Sequence, residues 1–289
     1  MPAARVGEVD LYYEEKGSGA PVLFVHGIPT DHRAWASQMG PISDGYRVMA
    51  VSRRYAAPNL REGDLLDSTV GNNAADVLGL VEKLGIAPVH LVGHSYGGFI
   101  SALVAAEHPE MVRSLVLVEP AVSTMLLPSA ESRSQMLGLL LRTPSVALSA
   151  RRFQTRNLYP SFRALDGGDG RKAVELIVDG LQETLGALDR LPEEVRKMMI
   201  ENGRTVGELR AEPPAFTAEE AQRIACRTLI ISGESSPLWL RRIAELLGRS
   251  IPNATVEAIP GTRHFPHVEN PLEFNRRVLQ FLAESGSPS

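Results

Sequence analysis

A short apolar run, Val89-His90-Leu91-Val92, passes directly into Gly93-His94-Ser95-Tyr96-Gly97-Gly98, and a helix-forming stretch over residues 99–107 follows at once. Gly-x-Ser-x-Gly between a strand and a helix is the pattern of a nucleophile elbow. The turn forces Ser95 into a strained backbone conformation, and only small residues two before and two after it avoid a clash. Its hydroxyl then stands at the C-terminal edge of a sheet, over a helix N-terminus that favours developing negative charge. The plain alternative is a glycine-rich βα turn. The flanking strand, the flanking helix and the extra Gly98 favour the elbow.

The rest of the chain repeats this alternation. Residues 5–9 and 11–15 read as an antiparallel pair. Compact apolar runs recur at 22–25, 46–51, 89–92, 114–118, 227–231 and 255–259. Such runs suit strands covered on both faces. Helical patterns lie between several of them: from the Asp67-Ser68-Thr69 caps to Leu84, with Gly85 as the stop, then 99–107, 238–247 and 272–282. Strands alternating with helices predict a parallel sheet built from βαβ units. The rhythm breaks over 121–225, where only helical stretches appear, at 132–142, 171–187, 192–201 and 217–224, punctuated by Pro144, Pro160 and Gly167-Gly168-Asp169-Gly170. A helical insertion of this size is most simply a cap. The expected organisation is a core of 1–120 and 226–289, a cap of 121–225, and a frayed tail over 285–289.

Composition removes other classes. The chain has 289 residues, 44% hydrophobic and 22% charged, with a formal net charge of -4, an ordinary globular balance with no basic footprint for nucleic acid. Cys226 is the single cysteine, so neither an intramolecular disulfide nor a thiolate metal cluster can form. No run of about 18 apolar residues is available for a membrane span, and the N-terminal Met-Pro-Ala-Ala-Arg-Val-Gly-Glu lacks the apolar region of a signal peptide. A reducing, cytoplasmic setting is the default expectation. No phosphate-cradling loop, dinucleotide fingerprint or metal-ligand spacing appears, so no cofactor and no metal are expected. The expected partner is a small-molecule substrate rather than nucleic acid or membrane, with a homodimer left open.

Acyl transfer needs two donors for an oxyanion, one being the N–H after the nucleophile, here Tyr96. The second is expected from His26-Gly27-Ile28-Pro29, the loop after strand 22–25; Pro29 has no N–H, so Ile28 is the candidate. His26 reads as a support for that loop. His26-Gly27, the Ser95 elbow and Pro260-Gly261-Thr262-Arg263-His264-Phe265-Pro266-His267-Val268-Glu269-Asn270-Pro271 together resemble the α/β-hydrolase fold superfamily, in its order and over nearly the whole chain outside the insertion. The resemblance implies a mostly parallel eight-stranded sheet with a helical cap after the sixth strand. It leaves the reaction open, because this fold hosts many.

The resemblance also places a histidine after the last strand, where His264 stands. His94 adjoins the nucleophile, but neighbours in an extended chain point to opposite faces. His267 is expected on the turn into the last helix, and His32, His90 and His108 on loops or the surface. The acid departs from the family pattern. The family's Asp follows three residues after the glycine that ends the seventh strand, and here Gly233-Glu234-Ser235-Ser236-Pro237 puts Ser236 there. A serine supplies no negative charge. Glu119, at the end of the sixth strand, is the expected acid. Glu234 and a site with no acid are the alternatives.

Weaker signals complete the list. Arg53 and Arg54 suit an anion site or, more simply, loop ion pairs. Met125, Met136, Met198 and Met199 suit an apolar roof or plain core filling. Asp31 reads as a helix cap. The expected activity is a serine hydrolase that cleaves an ester-like bond of a small, largely apolar molecule through an acyl-enzyme. Carbon–carbon bond hydrolysis, perhydrolysis, a non-hydrolytic cyclisation or rearrangement, and a ligand-binding module with little turnover stay open. An unperturbed imidazole titrates near pH ~6.5, so the rate is expected to rise through the neutral range.

Overall fold

The structure is a computed structural model that describes residues 1–59, 65–127 and 133–286. Eight strands form one sheet: β1 (Ala3–Val6), β2 (Val9–Lys16), β3 (Pro21–Val25), β4 (Arg47–Val51), β5 (Val89–His94), β6 (Val112–Val118), β7 (Arg227–Gly233) and β8 (Ala254–Ile259). Their order is β1-β2-β4-β3-β5-β6-β7-β8. β1 and β2 pair antiparallel, as do β2 and β4, and every other neighbouring pair is parallel. The central strands β3 to β7 are largely apolar because both of their faces are covered, whereas β1, β2 and β8 toward the edges carry more exposed positions. Leu23, Val25, Leu91, Leu115, Leu117 and Ile230 enter one core, while Val22, Phe24, Val92, Val116, Leu229 and Ile231 enter the other. Successive side chains point to opposite faces, so one apolar run feeds two cores.

The opening hairpin differs by one turn from its expected boundary. Gly7 adopts φ +54°, Val6 pairs with Val9, and Val9 opens β2 rather than closing β1. A two-residue turn of this kind favours positive φ, which glycine supplies without strain.

Helices cover both faces. α1 (Ala36–Ser43) follows a short 3₁₀ turn capped by Asp31, whose side chain accepts from the Arg33 N–H at 2.9 Å. α2 (Val70–Leu84) starts at Thr69, which accepts from the Asn72 N–H, and stops at Gly85 in the left-handed region. α3 (Tyr96–Glu107) grows directly out of the Ser95 turn. Between β6 and β7 the described residues contain helices and no strand: α4 (Arg133–Arg142), α5 (Pro144–Phe153), α6 (Tyr159–Asp166), α7 (Gly170–Leu181), α8 (Glu193–Glu201) and α9 (Ala218–Gln222). α10 (Leu238–Ser250), α11 (Pro266–Glu269) and α12 (Pro271–Gly286) complete the sheet's cover.

Three helix ends and one proline depart from the sequence reading. Pro144 separates α4 from α5 as read, in the first turn of α5 where a missing N–H costs nothing, whereas Pro160 lies within a helical run that continues from α5 through a π-helical turn, Gln154–Leu158, into α6. Gly248 does not end α10 but lies within it, against β8, where an added Cβ would meet Val256 Cγ2 at 2.2 Å. α7 ends at Leu181, short of 187, and Glu183 beyond it takes positive φ. The 217–224 stretch narrows to α9, closed at its start by a capping box between Thr217 and Glu220. Ser132 and the tail residues 287–289 lie outside the described residues.

The insertion is tied to the C-terminal side of the sheet. Asn202 Nδ2 donates to Asp31 Oδ2 at 2.7 Å, and the Ala57 N–H donates to Asn202 Oδ1 at 2.7 Å. Because β3 lies between β4 and β5, the connections after β3 and β5 diverge. They leave a crevice at the carboxyl ends of these two strands, the position where open α/β sheets bind ligands.

Candidate active site

Ser95 adopts φ +52° and ψ -114°, outside the regions side-chain-bearing residues favour. Such a residue costs about 1–3 kcal/mol and persists only where its surroundings hold it. Here its N–H donates to Val118 O at 2.9 Å, and its carbonyl accepts from the N–H groups of Phe99 and Ala121, each at 3.1 Å. Two glycines make this possible. A Cβ on Gly93 would lie 2.3 Å from Gly97 O, and a Cβ on Gly97 would lie 2.3 Å from Val25 O. Gly97→Ala is therefore expected to destabilise the fold by about 1–3 kcal/mol, as overpacking does elsewhere. A denaturant midpoint equal to the wild type would contradict this close approach.

His264 is fully buried, with Nε2 3.0 Å from Ser95 Oγ and Nδ1 3.2 Å from Glu119 Oε2. A nitrogen facing a carboxylate carries the proton, so Nδ1–H donates to Glu119 and Nε2 is left to accept from the serine hydroxyl. Glu119 directly follows β6, takes φ +48°, and donates its N–H to Ile231 O at 2.8 Å. Its Oε1 accepts from the Gly233 N–H at 2.6 Å and from the Ser236 hydroxyl at 2.8 Å. The serine in the family's acid position thus serves as a donor to the carboxylate on the neighbouring strand. Glu234 is elsewhere: it is exposed, and its Oε2 accepts from the Gly261 N–H at 3.1 Å.

Burial disfavours charge on both members of this pair. It lowers the His264 imidazolium to about 3 and raises the Glu119 carboxyl to about 8. The two shifts pull apart, since a neutral imidazole is ready to accept a proton while a neutral carboxyl cannot steady it. Three donors converge on Glu119, and a carboxylate so held is favoured in its ionised form. The lowered imidazole is the direction the geometry supports, and it moves the acid limb of the rate below the ordinary ~6.5.

The remaining histidines are scaffold. His94 Nε2 donates to the His264 carbonyl at 2.8 Å, which steadies the loop that carries the imidazole. His267 is buried in α11, with its ring 4.7 Å from that of Trp35. His26 Nε2 accepts from the Arg53 N–H at 3.0 Å, supporting the loop as expected. His32 and His90 correct the surface expectation: both are buried, with Nδ1 2.8 Å from Ser52 Oγ and 2.7 Å from Ser114 Oγ, respectively. A hydroxyl partner inside the fold lets a neutral imidazole be buried at little cost. His108 remains partly exposed.

Ser95, Ile28 and Tyr96 line a cavity of about 260 Å³. Tyr96 is the first residue of α3, so its N–H has no acceptor within the helix. From the core, Val70, Phe99 and Trp239 also contribute; from the insertion come Leu126, Leu139, Phe153, Leu158, Ile177 and Leu181. No methionine lines it among the described residues. Met198 and Met199 are packed in the two cores, Met125 packs against one of them, and the side chain of Met136 lies outside the described residues. Arg54 pairs with Asp76 and Asp67, and Arg53 with Glu208, so both arginines form ion pairs. Ser236 as a donor and Glu208 as a lining residue were not foreseen. A hydroxyl in the acid position was the available sign of the first, and no motif marks the second. Among the described residues, no group of three or more His, Cys, Asp or Glu is arranged to hold a metal ion. No helix among them is long and apolar enough to cross a membrane.

The sequence pattern of the α/β hydrolase fold family matches residues 20–271. The chain belongs to that family and is an α/β-fold hydrolase. It is 27% identical over 281 residues to the 2-(acetamidomethylene)succinate hydrolase of Mesorhizobium japonicum, covering 96% of this chain and 93% of that one. It is 26% identical over 298 residues to the 2-hydroxy-6-oxo-6-phenylhexa-2,4-dienoate hydrolase of Comamonas testosteroni, covering 97% and 96%. A carboxylesterase structure from Bacillus subtilis shares the fold at 18% identity and a TM-score of 0.72, over 97% of this chain and 90% of that one.

Proposed function

We propose that this hydrolase cleaves an ester-like bond of a small, largely apolar molecule through an acyl-enzyme on Ser95. The observation that carries the reading is the unbroken line of contacts from Ser95 Oγ through His264 to Glu119, opening on an apolar cavity. Ser95 Oγ attacks the carbonyl carbon while His264 Nε2 takes its proton. The N–H groups of Ile28 and Tyr96 receive the negative charge that develops on the carbonyl oxygen. Glu119 steadies the imidazolium, which then gives the proton to the departing alkoxide. Water enters, His264 removes its proton, and the tetrahedral adduct collapses to the free acid and Ser95. Residues 121–225 act as a cap, supplying most of the apolar wall and excluding bulk water. The partner is a small molecule, and a cytoplasmic setting accords with the single cysteine.

Carbon–carbon bond cleavage is the second reading. The name of the Comamonas testosteroni relative favours it, and the same serine, histidine and carboxylate can serve it.

The test is a panel of short-chain esters, with kcat/KM followed from pH ~5 to 9. Only neutral His264 can accept the Ser95 proton. With its pKa lowered by burial, the active form persists at every pH above that lowered value. The expected profile is therefore flat across the tested range down to about pH 5, with the acid limb displaced below the ordinary imidazole value of ~6.5, in place of the neutral-range rise expected of an unperturbed imidazole. A fall that begins near pH 8 would mean that Glu119 takes up a proton first, and it would contradict an ionised carboxylate in the resting site.

A further inference from the structure

The roof of the cavity carries on its outer side a surface that the chemistry at Ser95 leaves unused. Of the eleven large apolar side chains exposed among the described residues, five fall between 137 and 159. Leu137, Leu140 and Leu141 stand on α4, Leu148 on α5 and Tyr159 on α6, each between 50% and 74% exposed. In α4 they recur at i, i+3 and i+4, one stripe of the helix, while Leu139 on the opposite side lines the cavity. In α5, Val146 and Ala147 are buried and Ala150 and Phe153 line the cavity, whereas Leu148, Arg151 and Arg152 face out. That outer stripe continues past the π-helical turn to the exposed Tyr159 and Arg163 of α6. Both stripes lie on the side away from the cavity, so they share the outer face of its roof.

Charge on this face has one sign. Residues 133–165 hold six arginines and no Asp or Glu, in a chain whose formal net charge is -4. Arg142, Arg151, Arg152, Arg156 and Arg163 are exposed, and none of them makes an ion pair among the described residues. Asp166, the first acid beyond this run, is held by Arg210 at 2.7 Å. Arginines set among exposed leucines and a tyrosine are the composition of a helix face that lies in a membrane–water interface. There the apolar side chains enter the acyl boundary and the guanidinium groups meet lipid phosphates. A second copy of the chain fits less well, because a two-fold contact would bring the arginine stripe against itself. The expectation of no membrane partner rested on whole-chain charge and on the lack of a span, and neither senses a local face. An interfacial helix lies in the plane of the surface and needs no span.

We propose that the outer face of α4, α5 and α6 docks on an anionic lipid surface. Leu139 and Leu140 are neighbours on α4, one in the cavity wall and one on the outside. Docking therefore holds the cavity about one helix diameter, ~10 Å, from the lipid. It does not depend on the reaction at Ser95 and is measured without turnover.

Cosedimentation of the full chain with lipid vesicles is the test, on Ser95→Ala protein so that no lipid is consumed. One set of vesicles is phosphatidylcholine alone; the other is an equal mixture of phosphatidylcholine and phosphatidylglycerol. The protein should pellet with the anionic set and stay in solution with the neutral one, and its binding should weaken as salt rises. Each arginine at a charged surface contributes about fivefold to partitioning, so Arg151→Gln with Arg152→Gln should weaken binding by on the order of 30-fold. Leu140→Gln with Leu141→Gln should weaken it by at least about tenfold, with the melting temperature unchanged in both double variants. Equal binding to the two sets, binding to neither, or anionic binding that neither double variant weakens would overturn the proposal. So would a dimer in sedimentation velocity that Leu140→Gln with Leu141→Gln dissociates, since the face would then belong to a second copy. Should a double variant fail to fold, the two vesicle sets compared across salt still decide.

Discussion

Replacing Ser95 with alanine is expected to lower kcat for ester hydrolysis by on the order of 10⁶-fold while the fold stays intact. The size follows from the order of events. Without Oγ no acyl-enzyme forms, and His264 and Glu119 have no proton to move. The remaining acceleration is the part that donors and binding supply alone, roughly 10³–10⁴ over water. The fold should survive because Ser95 is held through its backbone, by bonds to Val118, Phe99 and Ala121, and not through its hydroxyl. Alanine also relieves no strain, since it meets the same positive φ. Near-wild-type turnover by Ser95→Ala, measured on protein with an unchanged melting temperature, would remove the serine from the mechanism.

Glu119→Gln carries the second large effect, a loss in kcat of about 10⁴-fold, the scale seen when a triad Asp becomes Asn. The substitution keeps the volume and the acceptor oxygen but removes the charge. An amide oxygen can still accept from Gly233 and Ser236, so the backbone should hold. An amide nitrogen turned toward His264 would instead favour the wrong tautomer, with the proton on Nε2 facing Ser95. Glu234→Gln should do far less, because that side chain is exposed and bonded to Gly261. Ser236→Asp placed in the Glu119→Gln background should return part of the activity, since the hydroxyl of Ser236 already lies 2.8 Å from the carboxylate it would replace. Rates for the two single variants, measured side by side, discriminate. A larger loss at Glu234 would move the acid there, and a small loss at both would leave Ser95 and His264 acting as a dyad.

Much of this was written in local patterns. The elbow is a strand, a turn and a helix within about twenty residues, so its sequence is nearly its structure. The two-core sheet follows from runs in which neighbouring positions are both apolar, as in 22–25 and 115–118. The capping signals at Thr69 and Gly85 mark both ends of α2 correctly, because they act on their own backbone. The carboxylate was legible only as a choice. Glu119 and Glu234 stand at the ends of adjacent strands, and which one faces His264 depends on the positive φ at Glu119 and on how the loop after β7 folds. What stayed hidden is tertiary. Pro160 looks like a break until the helical run that continues through it from α5 into α6 is seen. His32 and His90 look polar enough for the surface until Ser52 and Ser114 are found beside them. The shift of the His264 imidazole comes from burial that no spacing encodes. The Arg53–Glu208 pair joins residues 155 apart in sequence, with no motif at either end.

The central claim is that Ser95 is the nucleophile, and labelling with a fluorophosphonate followed by peptide mass spectrometry tests it most directly. The account predicts one adduct per chain, on the peptide that contains Ser95, with label uptake and loss of ester hydrolysis running in parallel and no adduct on Ser95→Ala. Unlabelled protein that still turns over ester, or an adduct on a residue other than Ser95, would contradict it.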